Sequence, residues 1–222
     1  MSYFTPEFLK FFRGLKKNNS KAWFDANKEM YEATVKKPFT EFVEEIITRM
    51  RAEDATLNIS AKEAIFRLNR DIRFSKDKAP YKTHMAANIS AGGRKNYELP
   101  GFYLQFGAEQ VMIGGGAYML ENENIYKVRK AIVKNLDAFA ALLKDKNFKQ
   151  KFGALQGEQN KVLPAEFKEY VAQQPVVANK QFYYMAELEA ETILKKNLPE
   201  MVMQHYHAGK AMNEFLQQAM RR

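Results

Sequence analysis

Basic side chains crowd into one short stretch of the sequence, residues 66–84, and this crowding is the first sign of chemistry. The stretch reads FRLNRDIRFSKDKAPYKTH, with only Asp71 and Asp77 as acids. An arginine fork binds phosphate or carboxylate in a bidentate manner, whereas a lysine supplies a point charge. The predicted anion-binding residues of this stretch are Arg67, Arg70, Arg73, Lys76, Lys78 and Lys82.

The positive charge is concentrated in the chain rather than spread along it. Residues 64–84 have six basic and two acidic side chains, a net +4 out of the +9 of the 222-residue chain. An evenly basic sequence would indicate only a general attraction to anions, whereas a local excess indicates a site.

A strand over residues 64–74 would place Asp71 and Arg73 on the same face, about 7 Å apart and close enough to pair. Arg70 would fall on the other face, among apolar residues. Burying a guanidinium group without a partner costs several kcal/mol, so Arg70 needs an anion. That anion is either a carboxylate of the protein or a ligand, and both interpretations are open. Ser60 and Glu63 also fit a capping box, so a helical turn competes with the start of this strand.

Several other residues could take part in chemistry. Asp71, Asp77, Tyr81 and His84 are candidates for orienting the cations or for acid–base work, and Tyr81 could also stack on a base. The other notable aromatics, at alternating or helical spacing, are more typical of a core: Trp23, Phe24, Tyr97, Tyr103 and Tyr118.

Three glycines and one arginine further along the chain extend the candidate site. Gly114, Gly115 and Gly116 form a predicted backbone turn or bulge before a helix, where N–H groups could face phosphate, although no phosphate-loop spacing is present. Arg129 lies in that helix. His205 and His207 are two residues apart and so do not form a helical metal pair. The chain has no cysteine, and the sequence predicts no metal site and identifies no cofactor.

The hydrophobic periodicity predicts an α+β protein with a single domain over residues 1–222. Residues 1–55 are expected to be helical and residues 60–118 to be mainly strands of an antiparallel β-meander. Residues 122–222 are expected to be mainly helical, with a long helix through Ile125 and Leu143 and one returning strand near 181–188. N-terminal, central and C-terminal helices therefore pack with the meander.

The motif spanning residues 66–84, with the preceding NNSKAWF and the following GFYL and IGGGAYML, resembles a bacterial and fungal family of unknown function, number 2461. The similarity covers nearly the whole chain. It implies that a signature is matched by Arg70, Asp71, Arg73, Asp77, Lys78, Pro80, Tyr81 and Lys82, and that Arg129 matches a later arginine. NKVLPAEF departs from the family's Pro-Gly-aromatic turn. The resemblance implies no particular activity.

The sequence therefore predicts a protein that binds an anionic small molecule bearing phosphate or carboxylate. A nucleic-acid-binding module and a structural or interaction protein with internally paired arginines are the alternatives. Whether a reaction follows binding, and which oligomer forms, are left open. The absence of a signal sequence, of a membrane span and of cysteine favours a cytoplasmic protein without a membrane partner.

Overall fold

Helices form at both ends of the chain, where apolar residues recur every three or four positions. The computed structural model of the protein describes residues 2–96 and 98–221. The first group of helices is α1 (Pro6–Lys17), α2 (Lys21–Ala26), α3 (Lys28–Met30), α4 (Lys37–Glu53) and α5 (Ala61–Ala64). The second group is α6 (Asn122–Lys134), α7 (Leu136–Lys144), α8 (Lys146–Phe152), α9 (Ala165–Lys168) and α10 (Leu198–Arg221).

The strands form one antiparallel sheet of four, in the order β1-β2-β3-β4. They are β1 (His84–Ile89), β2 (Gly101–Gly107), β3 (Gln110–Ala117) and β4 (Phe182–Glu189). Strands that follow each other in sequence lie side by side, which is the meander that the alternating pattern predicted. The predicted α+β class is thus confirmed, and so is the returning strand near 181–188.

The chain divides into two compact units. The first consists of Met1–Arg94, Tyr103–Ile113 and Glu187–Met203. The second consists of Lys95–Phe102, Gly114–Ala186 and Gln204–Arg222, so three of the strands contribute residues to both. The expectation of a single domain stays a prediction.

Phenylalanine dominates the core of the first unit. The ring of Phe106 on β2 lies 5.4 to 5.5 Å from the rings of Phe4, Phe39 and Phe42. All four side chains are essentially fully buried. Aromatic pairs at this spacing stabilise a core by more than the burial of their apolar area alone. They also fix the position of β2, next to the strand that follows the basic stretch of residues 66–84.

The second unit has its own apolar core, built on α6, α7, α8, α10 and β4. Its centre is Tyr184, which is fully buried and whose hydroxyl donates a hydrogen bond to the Gly209 carbonyl at 3.0 Å. Around it pack buried side chains that include Val128, Ile132, Phe139, Phe148, Phe152 and Leu216.

Two predicted elements differ from the observed ones. The long helix expected through Ile125 and Leu143 is broken at Asn135, whose backbone leaves helical geometry and whose side chain donates to the Ala131 carbonyl at 2.8 Å. Residues 64–74 do not form a continuous strand either. The capping box of Ser60 and Glu63 starts α5 instead, and only isolated bridges follow it.

Candidate functional site

The basic segment, defined as residues 66–84, lies in the first unit and folds back on itself. Residues 65–70 run antiparallel to residues 80–87, and residues 71–79 form the loop between them. Facing residues of an antiparallel pair point to the same side. Backbone hydrogen bonds of 2.9 Å define the pairing, from Phe66 to Ala86, from Lys82 to Leu68 and from Arg70 to Pro80. Phe66 and Arg70 therefore share a side with Lys82 and His84.

Arg70 finds its anion within the chain. Its guanidinium group forms an ion pair with Asp77 and donates to the Ala79 carbonyl at 3.2 Å. The Ala79 backbone N–H and the Arg70 side chain together lower the pKa of Asp77. The sequence left open whether a protein carboxylate or a ligand is the partner of Arg70. The partner observed is a carboxylate of the protein.

Arg73 and Asp71 form the pair that their spacing predicted. Arg73 donates two hydrogen bonds to the carboxylate, at 3.0 and 2.7 Å, and both side chains are exposed. The hydrogen bonds from Arg73 lower the pKa of Asp71 to about 2. A carboxylate whose pKa is lowered is a poor proton acceptor near neutral pH, so Asp71 and Asp77 suit orientation of the loop better than general base catalysis.

The three remaining cations before Lys82 are exposed, and they differ in their partners. Lys78 donates to the Ile72 carbonyl at 3.1 Å, which fixes the loop. Arg67 and Lys76 have no hydrogen bond or ion pair to any described residue. Arg67 nevertheless acts at longer range, because its charge lowers the pKa of both Asp71 and Lys82.

Lys82 differs from Arg67 and Lys76 because it is half-buried as well as without an ion pair to any described residue. Its side chain is half-buried, and its ammonium nitrogen lies 5.2 Å from the centre of the Phe66 ring. Burial, and then the charge of Arg67, lower the pKa of Lys82. Within residues 2–96 and 98–221, no carboxylate lies within ion-pair distance of it.

Asn19 fastens the basic segment to the N-terminal helices. Its side-chain amide donates to the Tyr81 carbonyl at 2.9 Å and accepts from the Tyr81 N–H at 3.1 Å. Ser20 next to it caps α2 by accepting from the Trp23 N–H at 3.3 Å. The indole of Trp23 packs against Gly14, where a Cβ atom would lie 2.8 Å from the ring. The NNSKAWF motif thus positions Tyr81, the residue before Lys82.

Tyr81 is not available for stacking on a nucleobase. Its ring is buried and stacks on Phe24, with centroids 4.4 Å apart and planes 22° apart. The two signature motifs therefore meet in an aromatic contact within the first unit. Tyr97, another aromatic considered from the sequence, lies outside the described residues.

The same side of the sheet continues from Lys82 onto β1 and β2. A Cβ atom at Gly107 would lie 3.2 Å from the Cβ of His84, so these two residues face each other. By the alternation of strands, the half-buried Tyr103 and Gln105 share that face with His84. The Tyr103 hydroxyl donates to the Gln105 side-chain oxygen at 2.8 Å. Gln105 was not predicted from the sequence, and Tyr103 was assigned to the core, although the alternation in GFYLQFG was the available signal.

His84 is neutral at physiological pH. Burial, and then the charge of Lys82, lower its pKa from 6.5 to about 4. The role of His84 as an orienting or acid–base residue stays a prediction. Burial alone raises the pKa of Tyr103 to about 12. Lys82 thus shares this face with two uncharged groups, the His84 imidazole and the Tyr103 hydroxyl.

Gly114, Gly115 and Gly116 lie inside β3 rather than in a turn after it. The β4 backbone comes so close that a Cβ atom at Gly114 would lie 2.2 Å from the Tyr184 carbonyl oxygen, and one at Gly116 would lie 2.2 Å from that of Phe182. Gly116 also has a φ of +98°, which favours glycine. Close strand approach explains these glycines, and their anion-binding role stays a prediction.

Arg129 lies in the second unit, where it is 4% exposed. One terminal nitrogen of its guanidinium group donates to the carbonyls of Ala178 and Asn179 at 3.3 and 3.0 Å, at the end of a short 3₁₀ helix. Burial lowers its pKa. The buried Nε of Arg129 has no hydrogen-bond partner among the described residues, and the anion-binding role of Arg129 stays a prediction.

Among residues 2–96 and 98–221, no three His, Cys, Asp or Glu side chains are grouped so that they could hold a metal ion. No helix within the same ranges has both the length and the apolar character required to cross a membrane.

The fold and the basic segment define an α+β protein with an antiparallel meander and a cation-rich hairpin beside its first strand. The chain belongs to the family described as "Conserved hypothetical protein (DUF2461)", which it matches over residues 7–215. This match confirms the resemblance seen in the sequence. No curated protein matches the chain.

Proposed function

We propose that the sheet face around Lys82 binds an anionic small molecule that bears a phosphate or carboxylate group. The observation supporting this proposal is the pair of Lys82 and Arg67. Each lies in the electrostatic field of the other, and neither has an ion pair with a described residue. Arg70 and Arg73, by contrast, already have protein carboxylates.

Electrostatics favour an anion at this place. A half-buried ammonium group has lost part of its hydration, and the charge of Arg67 raises its free energy further. A bound anion would offset both effects, and the neutral His84 would supply a hydrogen bond beside it, while the Tyr103 hydroxyl already donates to Gln105. Arginine and lysine together suit phosphate and carboxylate oxygens.

The other predicted residues have supporting roles in this proposal. Arg70 with Asp77, and Arg73 with Asp71, hold the loop in its conformation. Lys76 and Lys78 add to the positive field that attracts the ligand. The absence of cysteine agrees with the predicted cytoplasmic location, which stays a prediction.

Thermal unfolding in the presence of simple anions tests the proposal. Inorganic phosphate, pyrophosphate and succinate are compared with sodium chloride at equal ionic strength. At about ten times the dissociation constant, a bound anion stabilises the protein by about 1.4 kcal/mol. This corresponds to a rise in Tm of about 3 to 6 °C for a chain of this size.

Matched variants locate the effect. Lys82→Met and Arg67→Met are each expected to remove most of the rise in Tm. Lys78→Met removes the same charge from the same segment, but the Lys78 ammonium group already donates to a carbonyl. This variant should therefore keep most of the rise in Tm. If none of the three anions raises the Tm of the wild-type protein above the chloride control, the proposal is wrong.

A further inference from the structure

Phe74, at the tip of the loop of residues 71–79, is 96% exposed. Single exposed apolar side chains are common on protein surfaces and need no explanation by themselves. Phe74 differs because the loop that presents it is fixed on both sides. Before it, Arg73 is bound to Asp71 through two hydrogen bonds; after it, Lys78 donates to the Ile72 carbonyl at 3.1 Å.

The loop is therefore held in a conformation that keeps the ring in water. The Ala79 N–H donates to the Asp77 carboxylate at 2.9 Å, and Asp77 is also paired with Arg70. Exposing a phenyl ring is unfavourable, and a loop with this many internal bonds has little freedom to fold the ring back. A preorganised aromatic side chain binds a partner at a lower entropic cost than a mobile one.

We infer that this tip is a stacking platform for single-stranded nucleic acid, with Phe74 contacting a base and neighbouring cations contacting the backbone phosphates. The Arg73 guanidinium group lies 5.9 Å from the centre of the Phe74 ring, and the ring remains open to a second planar group. Arg67 and Lys76 have no partner among the described residues and are exposed. Proteins bind single-stranded nucleic acid without reading its sequence by combining aromatic rings, which stack on bases, with cations that contact the phosphates.

Phe74 takes no part in the small-molecule site proposed above, although Arg67 serves both proposals. The Phe74→Ala variant therefore tests this inference separately from the proposed function.

An anionic membrane fits the loop less well. The residues on either side of the tip, Ile72 and Ser75, are half-buried, so one ring alone could enter a bilayer. Asp71 and Asp77 lie within three residues of Phe74 with side chains 44% and 66% exposed. Insertion of this single ring would therefore bring both carboxylates to the anionic headgroups.

Fluorescence anisotropy with a labelled oligothymidylate of about twelve nucleotides tests the inference. The wild-type chain is expected to bind at about 50 mM salt and to bind more weakly at about 200 mM salt, because neutralised phosphates release counterions. Phe74→Ala should weaken binding about tenfold through loss of one base–aromatic contact. Since the Phe74 side chain is exposed, the Phe74→Ala variant should have the same Tm as the wild type.

Two further substitutions distinguish stacking from simple apolar contact. Phe74→Tyr retains a ring and should bind like the wild type, whereas Phe74→Leu should resemble Phe74→Ala. Val162→Ala, at another exposed apolar side chain, is the matched control and should have no effect. The inference is overturned if the wild type does not bind the oligonucleotide at low salt, if Phe74→Ala binds equally well, or if the chain binds phosphatidylglycerol vesicles instead.

Discussion

Replacing Asn19 by alanine is expected to lower the free energy of unfolding by about 2 to 4 kcal/mol. The substitution removes two hydrogen bonds at once and leaves the N–H and the carbonyl of Tyr81 without a partner in a partly buried place. An unsatisfied buried polar group costs about 1 to 3 kcal/mol. Urea denaturation followed by circular dichroism measures the loss.

Asn18→Ala is the matched control for this variant. Its side-chain amide donates only one hydrogen bond, to the Gly14 carbonyl at 3.1 Å, and it is exposed. The expected loss for Asn18→Ala is therefore below about 1 kcal/mol. Because Tyr81 precedes Lys82, Asn19→Ala should also weaken anion binding, while Asn18→Ala should not. Equal stabilities of the two variants would show that Asn19 does not fasten the basic segment.

Acidification is expected to destabilise the protein through His84. The imidazole has a pKa of about 4 in the folded protein and 6.5 as its ordinary value. The unfolded chain therefore binds a proton before the folded one does. The stabilising contribution of a neutral His84 is complete well above pH 6.5 and is lost as the pH falls towards 4, by up to about 3 kcal/mol.

Urea denaturation at a series of pH values between these two limits measures this loss. His84→Gln keeps a polar side chain of similar size but does not titrate, so its stability should fall less steeply with pH. The low pKa of Asp71, about 2, has its effect at lower pH and does not overlap this window. Parallel curves for the wild type and His84→Gln would contradict the assigned environment of His84.

Much of the fold could be predicted from local patterns. Alternation in HMAANIS, GFYLQFG and EQVMIG marked the first three strands, because side chains of a strand alternate between its faces. The proline of Thr5-Pro6-Glu7 marked the start of α1. The break at Asn135 was not predicted, because the apolar spacing continues through it and one side-chain bond to the preceding turn decides the outcome.

The candidate site could be predicted only in part. Local spacing was sufficient for the Arg73–Asp71 pair, whose members are two residues apart. The pairing of Arg70 with Asp77 depends on the path of a loop, and the clamp of Asn19 on Tyr81 joins residues 62 positions apart. Which cation remains uncompensated also depends on such distant contacts. The sequence therefore identified the basic segment, but it did not show that Lys82 is half-buried without an ion pair to a described residue.

The most direct test of the proposed anion site is the pKa of the Lys82 ammonium group with and without ligand. Lysine labelled with ¹³C at Cε allows the titration to be followed by NMR, and Lys82→Arg identifies the signal. Without ligand, the pKa should lie below its ordinary value of 10.5, because of burial and Arg67. Pyrophosphate should raise the pKa of Lys82. A Lys82 titration curve that pyrophosphate does not move would contradict the proposal.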